Sequence, residues 1–204
     1  MTGLVRRLVS VAPGSRFEGT AGSGGELWFV IAGSGRLDAG GLRGAAVGRE
    51  AGIWVPPGSR YRLRASQDVL LDAVALPGEG RAPEAVAVPR VSQLRDCEVE
   101  RTGDRRFRVL LGPGRGCEAA TQFVGEIPPG RAPEHSHPYD EMVLVLEGEG
   151  VAHVRGGDGD RALAPGTRLH LPPGRPHCLE NTGTGTLVVL GVFHPGGSPA
   201  QKKQ

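Results

Sequence analysis

The chain has 204 residues, 24 Lys plus Arg against 22 Asp plus Glu, and a formal net charge of +2. That length allows one large domain or two of about 100 residues, and so small a net charge over scattered arginines gives no electrostatic footprint for nucleic acid. Gly 34 and Pro 17 make up a quarter of the residues, which touches the composition of disordered chains, but they cluster between short β-rich runs, as turns between strands do.

Near the start, Arg6 and Arg7 precede an apolar run over 8–12, too short for the roughly 7–15 residues of a secretory core. The strand candidates follow at 27–31, 69–76, 107–111, 143–146 and 187–193, and no long stretch repeats apolar residues at helical spacing, so little helix is expected. The last of these runs is the longest apolar one, far below the roughly 20 residues a membrane span needs. A cytoplasmic chain with no membrane partner is expected. Residues 77–89 trade apolar side chains for Gly, Glu, Arg, Ala and Pro and read as a linker, whereas 196–204 reads as a loose tail. Arg105, Arg106 and Arg108 flank Phe107 and read as a solvated strand face. Cys97, Cys117 and Cys178 form no Cys-x-x-Cys pair and cannot all be bridged within one chain, so reduced thiols are expected.

The chain contains a weak copy of itself. Residues 26–35, opening on Glu26 and closing on Gly33 and Gly35, align with 141–150, which open on Glu141 and close on Gly148 and Gly150. Val55-Pro56-Pro57-Gly58 falls on Leu171-Pro172-Pro173-Gly174 with one extra residue between the blocks. Two agreeing blocks argue for a duplicated unit. In this register Thr20, Gly22 and Tyr61 stand where the second half has His135, His137 and His177, which leaves Glu26 as the one ligand-type residue of the first half. Trp28 shares strand parity with Glu26 and reads as a core tryptophan.

The second half carries Gly130-x4-His135-x-His137-x3-Glu141-x6-Gly148 and then Gly166-x5-Pro172-x-Gly174-x2-His177-x3-Asn181. Residues i and i+2 of a strand share a face, so His135 and His137 converge, and Glu141 opens the next apolar run. His177 is distant in sequence, and a neighbouring strand can bring it in. Three imidazoles and one carboxylate match a first-row divalent metal. Adjacent strand residues face opposite ways, which argues against Cys178 as a further ligand. The same parity turns His153 and His170 outward, and Asn181 reads as a turn or capping residue. Val143 and Val145, in phase with Glu141, are expected to wall the ion with apolar surface.

These two blocks resemble the paired motifs of the cupin superfamily, with the first turn one residue shorter than the family's usual spacing. The resemblance implies an all-β chain of two cupin-like β-barrels in tandem, of the double-stranded β-helix or jelly-roll type. The first, over 1–80, is degenerate. A linker over 81–90 leads to a metal-binding barrel over 91–197 and a flexible tail over 198–204. One divalent ion per chain, among Fe, Mn, Ni, Cu, Co and Zn, is expected on His135, His137, Glu141 and His177, with Glu141 also the catalytic residue. Neutral imidazoles, one carboxylate and a divalent ion leave a formal charge of +1, which favours a small, oxygen-rich anionic substrate. The donor set is similar to that of flavonol-cleaving cupin dioxygenases, so a dioxygenase-type oxidoreductase leads over a non-redox isomerase, cyclase or lyase and over a non-catalytic binding module. Unpaired sheet edges make a homodimer the expected assembly.

Overall fold

The structure, a computed structural model, describes residues 3–78, 88–156 and 159–200. These fall into two compact units, one running to Asp96 and taking in Gly114–Cys117, the other comprising Cys97–Pro113 and the chain from Glu118 onward. Both are built of strands, and the one helical element among the described residues is a single 3-10 turn, Leu94–Asp96.

In the first unit, β1 (Val5–Val11), β3 (Glu26–Ala32), β6 (Ala51–Val55), β8 (Val69–Ala75) and β9 (Arg90–Gln93) form a sheet in the order β1-β8-β3-β6-β9. The second sheet runs β2-β7-β4-β5, from β2 (Arg16–Thr20), β4 (Ser34–Ala39), β5 (Leu42–Gly48) and β7 (Arg60–Ala65). β3 is apolar along most of its length and buried on both faces, as a central strand must be. β7 alternates strictly between exposed arginines and buried Tyr61, Leu63 and Ala65, the period-2 pattern of a strand with one wet face. Trp28, Leu37, Ile53, Leu63 and Leu71 from both sheets meet in one core, each worth about 1.5–3 kcal/mol on burial. Arg16, Arg36, Arg60, Arg62 and Arg64 gather on the wet face of β2, β7 and β4, where Glu18 and Asp38 separate them and pair with Arg62 and Arg64.

In the second unit, β10 (Glu100–Thr102), β11 (Arg105–Leu111), β12 (Thr121–Ile127), β14 (Asp140–Glu147), β17 (Arg168–Leu171) and β19 (Leu187–His194) form a sheet ordered β10-β11-β12-β19-β14-β17. Its companion runs β13-β18-β15-β16, from β13 (Gly130–Arg131), β15 (Gly150–Val154), β16 (Arg161–Leu163) and β18 (His177–Asn181). The fold is therefore all-β, of jelly-roll type. The repeat read from the sequence extends to the sheets. β8-β3-β6 has the same order as β19-β14-β17, and β2-β7-β4-β5 the same as β13-β18-β15-β16. It extends even to a bulge, which falls between Val30 and Ala32 in β3 and between Val145 and Glu147 in β14. Each bulged strand runs into a glycine with positive φ, Gly33 or Gly148. A β-carbon would overlap the Asp68 carbonyl at the first and approach that of Thr186 to 2.7 Å at the second, so only glycine serves both the backbone angle and the close passage.

Three boundaries differ from the sequence reading. Most of the expected linker, 79–87, lies outside the described residues, and the first unit continues beyond it because β9 pairs with β6. The second unit consequently begins at Cys97 rather than 91. The expected loose tail is anchored over its first residues: Thr121 Oγ1 donates to the Gly197 carbonyl at 2.7 Å, and Tyr139 donates its hydroxyl hydrogen to the Ser198 carbonyl at 2.9 Å. Residues 201–204 lie outside the described residues. All three cysteines are free. No helix among the described residues is long and apolar enough to cross a membrane.

Candidate metal centre

His135 and His177 are joined first by backbone. Each amide donates to the other's carbonyl, at 3.0 and 2.8 Å, the reciprocal pair of a hydrogen-bonded antiparallel bridge. Their imidazoles therefore stand side by side, with ring centroids 4.6 Å apart. His137 follows two residues on, and its carbonyl accepts the Gly174 amide at 2.7 Å, so the turn made by Pro172, Pro173 and Gly174 holds the loop carrying both histidines. Glu141, the second residue of β14, lies between Leu171 of β17 and Phe193 of β19. The loop and β18 deliver three imidazoles whose ligand-type nitrogens all lie within 4.8 Å of one another. Glu141 Oε2 sits 3.4 Å from His177 Nε2 and 3.7 Å from His137 Nε2.

The second nitrogens decide what these rings offer. His135 Nδ1 lies 3.0 Å from the Pro133 carbonyl and His177 Nδ1 lies 2.9 Å from that of Arg175. A carbonyl only accepts, so both Nδ1 atoms carry hydrogen, and in the neutral rings both Nε2 lone pairs are free to bind a cation. His137 stacks on Tyr139 at a 12° interplanar angle and meets Phe193 at 5.2 Å, which fixes its plane. Burial is deep for His137 (5%), His177 (3%) and Glu141 (7%), while His135 is only half-buried and forms the solvent side. Burial holds the His135 imidazole down to about 4, so it is neutral at ordinary pH. For His177 burial also works against the charged form, but the adjacent Glu141 carboxylate and the Arg175 carbonyl outweigh it and raise its pKa.

The arrangement suits a divalent ion. Ligand atoms about 2.1 Å from one ion are separated by about 3.0–3.5 Å from each other; the 3.4 Å gap between Glu141 Oε2 and His177 Nε2 is of this size, and the 3.7 Å gap to His137 Nε2 is slightly wider. Those gaps exceed a good hydrogen bond, and Glu141 Oε2 is buried with no hydrogen-bond partner. A buried carboxylate oxygen facing imidazole lone pairs costs free energy that a shared cation offsets.

The site opens on a cavity of about 70 Å³. Its apolar wall differs from the expectation. Val143 and Val145 are packed into the core with Leu163, Leu169 and Leu187, while Ile127, Leu171 and Val189, together with Phe107, Phe123 and Phe193, line the cavity. The reason is the pleat: Val143 and Val145 share the face of Glu141 but lie farther along β14, beneath the sheet partners Leu169 and Val189. Sequence reasoning does not place Arg105 and Pro199 at the cavity, which both of them line. In sequence Arg105 reads with Arg106 and Arg108 as one solvated face, yet it is in phase with Phe107 and Val109, and strand parity turns it inward. His153 and His170 point away, as expected, and pair with Glu180 and Asp140 at 2.8 and 2.9 Å.

The equivalent place in the first unit holds no such set. Glu26 Oε2 accepts hydrogen bonds from Trp28 Nε1 at 2.7 Å and from Arg7 Nη2 at 2.8 Å. Trp28, Phe17 and Tyr61 fill the space with ring centroids 4.7–5.5 Å apart. The residue across from Tyr61 is Gly19 rather than the expected Thr20, because the turn from β2 to β3 is one residue longer than that from His135 to Glu141. The absent side chain at Gly19 admits the Tyr61 ring, whose hydroxyl would lie 2.7 Å from a β-carbon.

Residues 123–193 match the family model described as the cupin domain. Among solved structures, the chain is similar to a point mutant of Bacillus subtilis oxalate decarboxylase, with a TM-score of 0.80 and 16% identity over 96% of this chain and 70% of that one. It is similar in the same way to a Bacillus subtilis oxalate decarboxylase characterised for its Mn(II) centres, with a TM-score of 0.78 and 17% identity over 97% and 70% of the two chains. The structure of that enzyme at pH 4.6 gives a TM-score of 0.78 and 16% identity over 96% and 69%. No curated protein matches the sequence. The cupin resemblance is thereby supported over 123–193, and the jelly-roll architecture over nearly the whole chain.

Proposed function

We propose that the chain is a metal-dependent bicupin enzyme, two cupin barrels in tandem. The second holds one divalent ion on His135, His137, Glu141 and His177 and acts on a small oxygen-rich anion. The observation that carries this reading is the convergence of three imidazoles, two with Nδ1 tied to a backbone carbonyl, with a buried carboxylate oxygen beside two of them. The tandem is supported by the shared sheet order and the shared bulge, and the degeneracy of the first barrel by its Arg7-Glu26-Trp28 network.

A divalent ion bound there would supply Lewis acidity to a substrate oxygen and, if redox-active, electron transfer as well. The remaining work falls to the chain. His135 and His177 present fixed lone pairs, and Glu141 adds negative charge and can exchange a proton with a group bound beside it. Phe107, Phe123 and Phe193 exclude water and lower the local dielectric, which strengthens each charge interaction in the cavity. At about 10–15 Å³ per enclosed water, the 70 Å³ cavity admits a guest of a handful of non-hydrogen atoms. Small carboxylates, enols and diketones are of this size.

Two reaction classes use such a site. Dioxygenase-type oxidation is the reading that the donor set supports. Decarboxylation or another lyase reaction is supported by the cavity's size and by the activity named for the structural neighbours. Metal analysis followed by a panel of oxalate, malonate, acetylacetone and a flavonol tests them together, with dioxygen uptake and CO2 release both recorded. Oxygen consumed in proportion to product supports the oxidoreductase class; CO2 released without stoichiometric oxygen supports the lyase class. Metal binding with no turnover of any small anion would leave a binding module.

A further inference from the structure

We propose that Arg105 determines the specificity of the cavity by binding a carboxylate of a small mono- or dicarboxylate substrate. This deepens the proposed function and rests on it. The placement is set locally. Thr102 pairs with Arg105 across the two-residue turn of Gly103 and Asp104, which puts Arg105 at the first position of β11. There its parity with Phe107 sends it toward the cavity that it lines with His135, His137, Glu141 and His177. Its neighbours are satisfied: Arg106 and Arg108 both pair with Glu126, at 2.6 and 2.9 Å. Arg105 makes no hydrogen bond or ion pair to a described residue, and its Nε is buried. A half-buried guanidinium without a partner is costly unless a ligand supplies the counter-charge. Its charge reaches Glu141 and opposes protonation of His135 and His177, so an anion entering the cavity meets Arg105 as well as the metal centre. Guanidinium and carboxylate match as planar two-pronged partners, and the apolar walls around Arg105 keep that match from being screened.

The test is calorimetric titration of the full chain with malonate and with its neutral isostere malonamide. Wild type, Arg105→Gln and Arg105→Lys are each measured metal-loaded and metal-free, with metal content determined by elemental analysis. Arg105→Gln should weaken malonate binding on the order of 10- to 100-fold while leaving malonamide affinity and metal content at wild-type values. Arg105→Lys should recover part of the loss, because the charge returns without the fork. Equal malonate affinity in wild type and Arg105→Gln, equal losses for malonate and malonamide, or no malonate binding by the wild type would each overturn the assignment. Absence of metal from the wild type would instead overturn the metal-dependent reading. The metal-free titrations would still decide the role of Arg105, since its guanidinium does not depend on the ion.

Discussion

At the residue scale, His135 and His177 titrate in opposite directions although they share a backbone bridge. Burial holds His135 near 4 in the folded chain, against about 6.5 when unfolded. Between those values the unfolded state binds the extra proton, so this residue's contribution to metal-free stability is lost as pH falls through that window. His177 is raised. Its contribution is complete below about 6.5 and is lost as pH rises through the higher folded value. Thermal melts of metal-free protein from pH 6.5 down to 4 should show a falling Tm that is flatter in His135→Gln. Metal uptake must displace the His177 proton, so metal affinity measured by competition with a chelator should weaken as pH falls through the raised His177 value. Combining His135→Ala with His177→Ala should abolish metal occupancy. Glu141→Gln should weaken metal binding and activity together, and lost activity at unchanged metal affinity would recast Glu141 as a proton-transfer group. The grouping of the four candidate donors was legible from spacing, because i and i+2 parity and the Pro-Gly turn are local rules. Arg105 was equally local, but three arginines in four residues look like a solvated face until Phe107 is used to fix the phase.

At the element scale, β19 lies between β12 and β14 and carries Phe193 to the cavity. Gly191 lets the Phe123 ring cross it, since a β-carbon there would overlap the ring. Gly191→Ala should cost about 1–3 kcal/mol, the range of overpacked cores, read as a lowered denaturation midpoint, and should disturb metal retention by moving Phe123 against Phe193. The five apolar runs read from the sequence fall in β3, β8, β11, β14 and β19, all in the larger sheet of each unit. The strands left unread, such as β2 and β7, have an arginine-rich outer face, and short half-polar strands resemble loops when no partner strand is known. The anchored start of the tail was hidden for a related reason: Gly197 and Ser198 bind through backbone carbonyls, which any sequence offers.

At the scale of the whole molecule, the duplication predicts one metal per chain, not two. Glu26→Gln should leave metal stoichiometry unchanged, because Arg7 and Trp28 already occupy the carboxylate; a second equivalent of metal in the wild type would contradict this. Strand β1 is an edge strand of its sheet and exposes Val5 and Leu8 at 61% and 41%. An edge of this kind favours pairing with a second copy, and light scattering at micromolar concentration should return a dimer mass; a monomer mass would remove the dimer. By itself the sequence determined the all-β class, the repeat and the four candidate metal ligands, because alternation, turn residues and donor spacing act over a few positions. Only the tertiary structure decided that His177 bridges to His135, that Arg105 lines their cavity without a partner, and that Arg7 closes the first unit around Glu26. Those outcomes depend on antiparallel pairing between distant strands and on the desolvation that pairing creates; strand parity gives the inward phase of Arg105, but not which groups from other strands it meets.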